Sequence, residues 1–575
     1  MLEEKFFCPS PKKVADKSAT PEETISLVTE RLSAAGASIF QELRRVDKGR
    51  LGIPVYLSLY GAEGLALTGN LKQMGKGSSE ALAKASALME LVERFSLFRF
   101  VKKGAFPLRT YEELGDKALP LEELVSSVKD PEEDREAERV FWEFIPRVPL
   151  HFAPALDVSR KRERLLPLYW FWLLYEYNGS AAGNTYAEAA VQATCELIER
   201  HTSALASQKK GPFKEVVPDR LGEEARKLLS CYERLGVRLY LRDLTFGFPV
   251  ATIGALAYDP KTFPTRSEIV YTAGTATSPE RALIRALTEV AQLAGDFDTE
   301  GKYLESGLPK FASLEEAAPV ISSAGKIRLS ELPDLSQDDH AEELRHLAEE
   351  LSAKGFRLYL LDIAAPELGL PVVYALIPGI LFRERIFLSP LYQLVRTVAL
   401  HLPPELAFEV LSALDREISR YYVASYLGQT LARLGRWEEA EASFRRALSL
   451  SPATEDLPAL YCHLAHAAFQ GGRLKEAEEA AEKGLSFGPL PELYNLLGSV
   501  RFRRGLVPQA LEAYFQAVAL NPQAAVDYAN IGACLLALGL TEEAEEYFKN
   551  AKMLDPGLDV ERFRRVKPGE GGANV

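Results

Sequence analysis

Cysteine is scarce in this 575-residue chain, and the five present, Cys8, Cys195, Cys231, Cys462 and Cys534, form no C-x-x-C pair. That argues against a disulfide framework or a cysteine zinc site and fits a reducing cytoplasm. Long hydrophobic runs are missing too. The longest aromatic-apolar stretch, Leu168 to Tyr175, is eight residues, where a membrane-spanning helix needs roughly 20. The opening Met1-Leu-Glu-Glu-Lys-Phe-Phe-Cys8 has neither the cationic segment nor the apolar stretch of a secretory signal, so a cytoplasmic protein without a membrane segment is expected. Positive charge is in deficit: 68 Lys and Arg face 81 Asp and Glu, a formal charge of −13. Bulk, sequence-independent nucleic-acid binding is therefore disfavoured. What is there is an ordinary globular composition, 47% hydrophobic and 26% charged, too apolar for a disordered chain. The length calls for at least two compact units.

Internal repetition divides the chain. Gly435-Arg-Trp-Glu-Glu-Ala440 recurs as Gly472-Arg-Leu-Lys-Glu-Ala477, Gly505-Leu-Val-Pro-Gln-Ala510 and Gly539-Leu-Thr-Glu-Glu-Ala544, at spacings of 37, 33 and 34 residues. Pro452, Pro489, Pro522 and Pro556 close the units, and Phe444, Tyr514 and Tyr547 supply an aromatic to the second helix. This resembles the tetratricopeptide repeat, two helices joined at a turn glycine and touching through an alanine. An all-α solenoid is expected over residues 406–560, with a flexible tail over 561–575. Such arrays leave a concave surface for a peptide, a partner protein or a second copy in a homodimer.

Residues 1–405 read as a mixed α/β domain. A strand-like unit occurs twice, Gly236-Val-Arg-Leu-Tyr-Leu-Arg-Asp243 and Gly355-Phe-Arg-Leu-Tyr-Leu-Leu-Asp362. Each leads into a glycine-X-proline-valine turn, Gly247 to Val250 and Gly369 to Val372, and a third such turn lies at Gly52 to Val55. The charged stretches Asp130 to Arg139 and Glu315 to Asp339 read as solvated surface insertions.

A second echo carries the chemistry. Gly77 to Arg94 is matched by Gly183 to Arg200, and both segments end Glu-apolar-apolar-Glu-Arg. On a helix Glu90 and Glu93 share a face with Ser86 one turn earlier; Glu196, Glu199 and Gln192 repeat the arrangement. The flanking Ala, Leu, Val, Met and Ile predict largely buried helices, in which each unpaired carboxylate costs several kcal/mol. Arg94 and Arg200 are too few for four glutamates. Hard oxygen ligands of this kind suit magnesium together with substrate phosphates. A third helix, Arg281 to Gln292, adds Glu289 and Gln292. Gly69 to Gly77 imitates a P-loop, but with five residues between its glycines and Gly77 where Ser or Thr belongs, it is not one.

These residues together resemble the YcaO family. Its Ser-x-x-x-Glu-x-x-Glu-Arg pattern fits Ser86, Glu90, Glu93 and Arg94, after a Gly-Lys-Gly at Gly75 to Gly77. Its Asn-Gly…Ala-Gly-Asn stretch fits Asn178, Gly179, Ala182, Gly183 and Asn184 ahead of Glu196, Glu199 and Arg200. Its Arg-x-x-Thr-Glu-x-x-Gln fits Arg285, Thr288, Glu289 and Gln292, and Lys17 and Thr24 lie where the family reaches the nucleotide. The resemblance covers about residues 10 to 400. It implies a non-Walker site for ATP and Mg2+, with Glu90, Glu93, Glu196 and Glu199 as metal ligands. Lys17, Thr24, Ser86, Arg94, Asn184, Arg200, Glu289 and Gln292 complete the implied nucleotide site, and no single residue stands out as catalytic. The implied chemistry is ATP-dependent phosphorylation of a peptide backbone amide, giving an azoline with a Cys, Ser or Thr nucleophile and a thioamide with a sulfide source. Two features depart from azoline-forming members: the end Lys567 to Val575 is not a Pro-x-Pro-x-Pro tail, and no leader-gripping domain is evident. With its repeats the chain resembles the stand-alone bacterial branch, which includes an accessory factor for β-methylthiolation of a ribosomal protein. The alternative reading is a nucleotide-regulated scaffold acting through the repeats.

The remaining candidates read as structural. His463 and His466 lack a third metal ligand, Cys195 reads as a small buried hydrophobe, and Tyr169-Trp-Phe-Trp172 reads as core. His201, next to Arg200, is a weaker candidate for phosphate contact or proton transfer.

Overall fold

Each of the three glycine-X-proline-valine turns closes a β-hairpin. The strands Val55–Tyr60, Ala251–Tyr258 and Val372–Leu376 leave these turns and pair antiparallel with Phe40–Arg45, Arg238–Asp243 and Tyr359–Asp362 respectively. Asp243 stands opposite Ile253, three residues past Val250, and Asp362 opposite Val373, one residue past Val372, so the two sequence-repeated hairpins differ in register by two residues relative to their turns.

Three sheets grow from these hairpins in the computed structural model, which describes residues 2–36, 38–128, 134–298, 303, 307–383, 388–555 and 557–569. The first adds Lys72–Lys76 to its hairpin. The second runs Val270–Ala276, Ala251–Tyr258, Arg238–Asp243, Phe213–Val217, Ser323–Arg328. The third runs Leu108–Arg109, Leu150–Asp157, Tyr359–Asp362, Val372–Leu376, Ser180–Ala182, with Arg162–Pro167 paired to Leu150–Asp157. Of the expected insertion at Glu315 to Asp339, residues 323–328 are therefore an exposed edge strand, parallel to Phe213–Val217. The part of the other charged stretch at 130–133 lies outside the described residues.

The helices that carry the motifs start alike. Ser79 caps Glu80–Lys103 and Thr185 caps Tyr186–Lys209, each side chain accepting the backbone N–H three residues on. The third motif helix is Pro279–Ala294. Two of the three press alanines onto a strand glycine. A Cβ on Gly75 would stand 2.0 Å from the Ala87 nitrogen and 2.5 Å from the Ala83 oxygen; on Gly274 it would stand 2.3 Å from the Ala286 nitrogen and 2.5 Å from the Ala282 oxygen. Only glycine lets these helices approach their strands so closely, and that approach sets how deep the motif side chains sit. Around Pro279–Ala294, Leu283, Leu287 and Val290 pack with Ile253, Ala255 and Val270 into one core. Trp170 and Phe171 of the aromatic run are fully buried.

Contacts divide the chain into Met1–Pro131 with Pro149–Leu388, and Glu132–Val148 with Ser389–Val575. The division falls before residue 405 because Pro390–His401 and Pro404–Glu417 pack with the repeat helix Tyr421–Arg433. The segment Arg135–Phe144 is also helical, and Arg420 pairs with Asp134 and Glu136. The repeats are four helix pairs, from Tyr421–Arg433 with Trp437–Ser449 to Ala525–Ala537 with Thr541–Leu554. Ala440, Ala477, Ala510 and Ala544 are fully buried at their contacts. The aromatic against the inner-helix glycine is Phe444 on Gly428, Tyr514 on Gly498 and Phe548 on Gly532. Phe548 thus takes the place expected of Tyr547, because the outer helix turns the 548 position inward. Residues 561–565, expected in a flexible tail, lie in the helix Val560–Arg565, held by buried Val560 and Phe563. Pro556 and residues 570–575 lie outside the described residues.

Candidate functional site

Glu90, Glu93, Glu196 and Glu199 converge from two helices around the turn Tyr177 to Ser180. On the first helix Arg94 donates to Glu90 at 2.8 and 3.0 Å and lies 3.7 Å from Glu93. Its guanidinium also covers the Tyr177 ring at 4.5 Å and reaches the Tyr177 carbonyl at 3.2 Å. On the second helix Arg200 lies 3.3 Å from Glu196 and 3.9 Å from Glu199 and donates to Asn178 Oδ1 at 3.0 Å. The Ser180 hydroxyl donates to Glu93 at 2.6 Å, and the Gly179 N–H to Glu196 at 3.3 Å. Gly179 has φ 86°, and a Cβ there would meet the Ala375 carbonyl at 2.7 Å, so the turn needs glycine at this point. The Thr275 N–H closes the set on Glu199 at 3.0 Å.

Burial pushes the Glu93 carboxyl well above its ordinary range, with Glu90 and Glu196 adding to the shift against Arg94. Burial and Glu196 likewise push Glu199 up against Arg200 and Lys76. The cations at hand do not fully compensate the carboxylates. The side chains of Glu90, Glu196 and Glu199 remain 30%, 18% and 18% exposed, and only Glu93, at 9%, is buried. The buried cluster expected from the flanking apolar residues is thus only partly buried, with Glu90 the most exposed of the four.

The third helix joins through Lys76. Lys76 pairs with Glu289, and burial lowers its ammonium to about 8 although Glu199 and Glu90 act to raise it. Arg285 donates to Gln192 of the second carboxylate helix. Toward that helix's first turn, Lys17 lies 3.4 Å from Glu188, Thr24 donates to Asn184 Oδ1 at 3.0 Å, and Asn184 reaches Glu188 at 3.4 Å. Burial opposes ionisation of Glu188, but Lys17 and Ser18 hold its carboxyl below the ordinary range. Asp16, near Lys17, Arg285 and Arg281, is held down to about 2 despite its own burial.

Lys17, Thr24, Asn184, the four glutamates, both arginines and Glu289 therefore fall on one continuous polar track. Ser86 and Gln292 are half-buried one turn from Glu90 and Glu289, and among the described residues neither hydrogen-bonds to the track. The sequence placed Lys76 and Arg285 in motifs without giving either a role in the site, and it singled out neither Glu188 nor the Tyr177 and Ser180 contacts. Only the i, i+4 spacing of Glu188, Gln192 and Glu196 on one helix face pointed to part of this.

Other candidates resolve into structure. Residues 72–76 form a strand, so no phosphate loop exists there. Burial pushes the Cys195 thiol up to about 12, leaving it protonated and inert. Burial lowers His201 to about 4, and its neutral Nδ1 accepts the Leu381 N–H at 2.9 Å. His463 stacks on Phe444 at 5.5 Å.

Among the described residues no three His, Cys, Asp or Glu side chains are grouped to hold a metal ion by themselves. The carboxylates nonetheless fit a hard divalent cation: burial and mutual repulsion raise Glu93 and Glu199, a strain that a cation bound by their oxygens would relieve. A site completed by phosphate oxygens matches this donor set.

The family model for YcaO cyclodehydratase, ATP- and Mg2+-binding, matches residues 74–381. Tetratricopeptide models match residues 421–454, 462–525 and 495–559. An uncharacterized protein of Methanothermobacter thermautotrophicus is 28% identical over 379 residues, covering 63% of this chain and 94% of its own. An uncharacterized protein in the tfuA 3' region of Rhizobium leguminosarum bv. trifolii is 24% identical over 393 residues, covering 64% and 88%. A heterocyclase solved in complex with substrate and cofactor shares the fold, with a TM-score of 0.54 and 23% identity over 68% of this chain. This chain spans only 57% of that heterocyclase.

Proposed function

The chain belongs to the YcaO family of ATP- and Mg2+-binding proteins and carries tetratricopeptide repeats, and from that premise we propose that its first unit activates peptide backbone amides by ATP-dependent phosphorylation. The observation that supports this is the pair of quasi-equivalent Glu-x-x-Glu-Arg helices meeting around one turn, with crowded carboxylates whose repulsion a divalent cation would relieve.

In this reading Glu90, Glu93, Glu196 and Glu199 hold Mg2+, and Lys17, Thr24, Ser86, Asn184, Glu289 and Gln292 bind the nucleotide. Arg94, Arg200 and Lys76 face its phosphates. Mg-ATP supplies the phosphoryl group that turns an amide oxygen, after a nucleophile has added to the carbonyl carbon, into a leaving group. The chain's own part is positioning and charge neutralisation, which is most of what phosphoryl transfer demands. Ser180 and Gly179 fix the glutamates, and Tyr177 fixes Arg94. The neutral His201 holds backbone rather than moving a proton.

The substrate in this reading is a peptide or protein, and the process an accessory step in its modification, such as β-methylthiolation of a ribosomal protein. Calorimetric titration of Mg-ATP tests the site: Glu93→Gln and Glu199→Gln should each weaken binding at least tenfold while the folded chain keeps its circular dichroism. Wild-type affinity in both variants would overturn the reading. A second reading, a nucleotide-regulated scaffold working through the repeats, draws on the cavity in the array's inner face. It requires Mg-ATP binding with no phosphate release when peptide is added, whereas thioamide or azoline formation requires release in step with product.

A further inference from the structure

The inner face of the repeats contains a cavity of about 400 Å³ between the helices Leu457–Gln470 and Pro491–Arg503. Trp437, at the start of the outer helix Trp437–Ser449, and Phe469 supply its large aromatic walls, and Trp437 meets His466 edge-on at 5.8 Å. Asn495 and Ser499 add polar atoms to the floor. No lysine or arginine lines the cavity. Burial holds His463 and His466 below their ordinary range, so both are neutral near pH 7. The one formal charge in the lining is Glu492.

Glu492 is exposed, and among the described residues nothing forms an ion pair with it. Behind the lining, Asn495 donates to Asp527 of the next inner helix, and Asp527 has no ion-pair partner among the described residues either. Its carboxyl is raised by burial and by the charge of Glu492. Burial and Glu492 likewise raise the Cys462 thiol. Elsewhere in the same unit part-buried carboxylates meet arginine: Asp415 with Arg446, Glu441 with Arg473, Glu478 with Arg501. Arg503, at the end of the same inner helix as Glu492, is stacked on the Phe469 ring at 4.7 Å.

We propose that this cavity binds a lysine or arginine side chain of a peptide segment laid along the inner face. Glu492 is the charge partner, and Trp437 packs the alkyl stem and faces the cationic head. The proposal concerns the helical unit alone and does not depend on the amide-activating reading of the first unit.

Fluorescence anisotropy on the full chain tests it, with labelled peptides alternating glycine and lysine, glycine and glutamine, and glycine and glutamate. The lysine peptide should bind at least tenfold tighter than the glutamine peptide, and Glu492→Gln should lose most of that difference. Glu512→Gln, exposed on an outer helix, should keep it, which separates the cavity from general attraction to an acidic chain. Trp437→Leu should weaken the lysine peptide severalfold. Equal binding of the lysine and glutamine peptides, equal loss in the Glu492 and Glu512 variants, or preference for the glutamate peptide would each overturn the proposal. Mg-ATP titration of the same variants should match wild type, so a failed amide-activating site and a failed cavity give different results.

Discussion

Arg200 and His201 are chain neighbours with opposite electrostatic fates. Arg200 stays charged because Glu196 and Glu199 outweigh its burial, whereas His201 has no carboxylate to offset burial and stays neutral. The unfolded histidine titrates near 6.5 and the folded one at about 4, so as pH falls the unfolded chain takes up the proton first. Stability from this group is complete above pH 6.5 and is lost as pH drops towards 4, by up to about 3 kcal/mol. His201→Gln keeps an acceptor for the Leu381 N–H but cannot titrate. Its thermal midpoint should therefore fall less than that of wild type between pH 7 and 5.5, and parallel pH profiles would refute the assignment. The glutamates of the site were legible in the sequence because their spacing repeats. Ser180 and Tyr177 were not, since each meets its partner across more than eighty residues of chain and nothing local signals that pairing.

The strand-glycine and helix-alanine contact at Gly75 and Gly274 fixes two motif helices by exclusion: the helix backbone fills the volume a side chain would need. Gly274→Ala should cost about 1–3 kcal/mol, the usual range for overpacking, read as a lower denaturant midpoint with an unchanged slope. It should also weaken Mg-ATP binding, because Glu289 and Arg285 ride on that helix. A stability loss with wild-type nucleotide affinity would show that helix depth does not set the site. The hairpins were readable from the turn residues, whose chemistry is local. The edge strand Ser323–Arg328 was not, because its burial pattern is almost wholly exposed and only pairing with Phe213–Val217 makes it a strand. In the repeats, the position of Phe548 rather than Tyr547 depends on a one-residue difference in helix phase that composition alone does not resolve.

Two units in one chain call for two unfolding events. Calorimetry should resolve them, and Mg-ATP at about a hundred times its dissociation constant should stabilise the first unit by roughly 2.7 kcal/mol. The helical unit's transition should stay where it was, and a single transition moved as a whole by nucleotide would contradict this independence. The repeat array was plain in the sequence because each repeat packs on its neighbours, so its pattern is written in contiguous residues. That Glu132–Val148 belongs with it was hidden, as membership there is decided by packing against residues beyond 388. This interruption has a consequence for biosynthesis. The helix Arg135–Phe144, with Ala137, Val140 and Phe141 destined for burial, leaves the ribosome about 240 residues before the helices that cover it. At about 5–20 residues per second the nascent chain carries that apolar stripe for roughly 10–50 s before its covering helices are made, an interval in which it is open to misassembly.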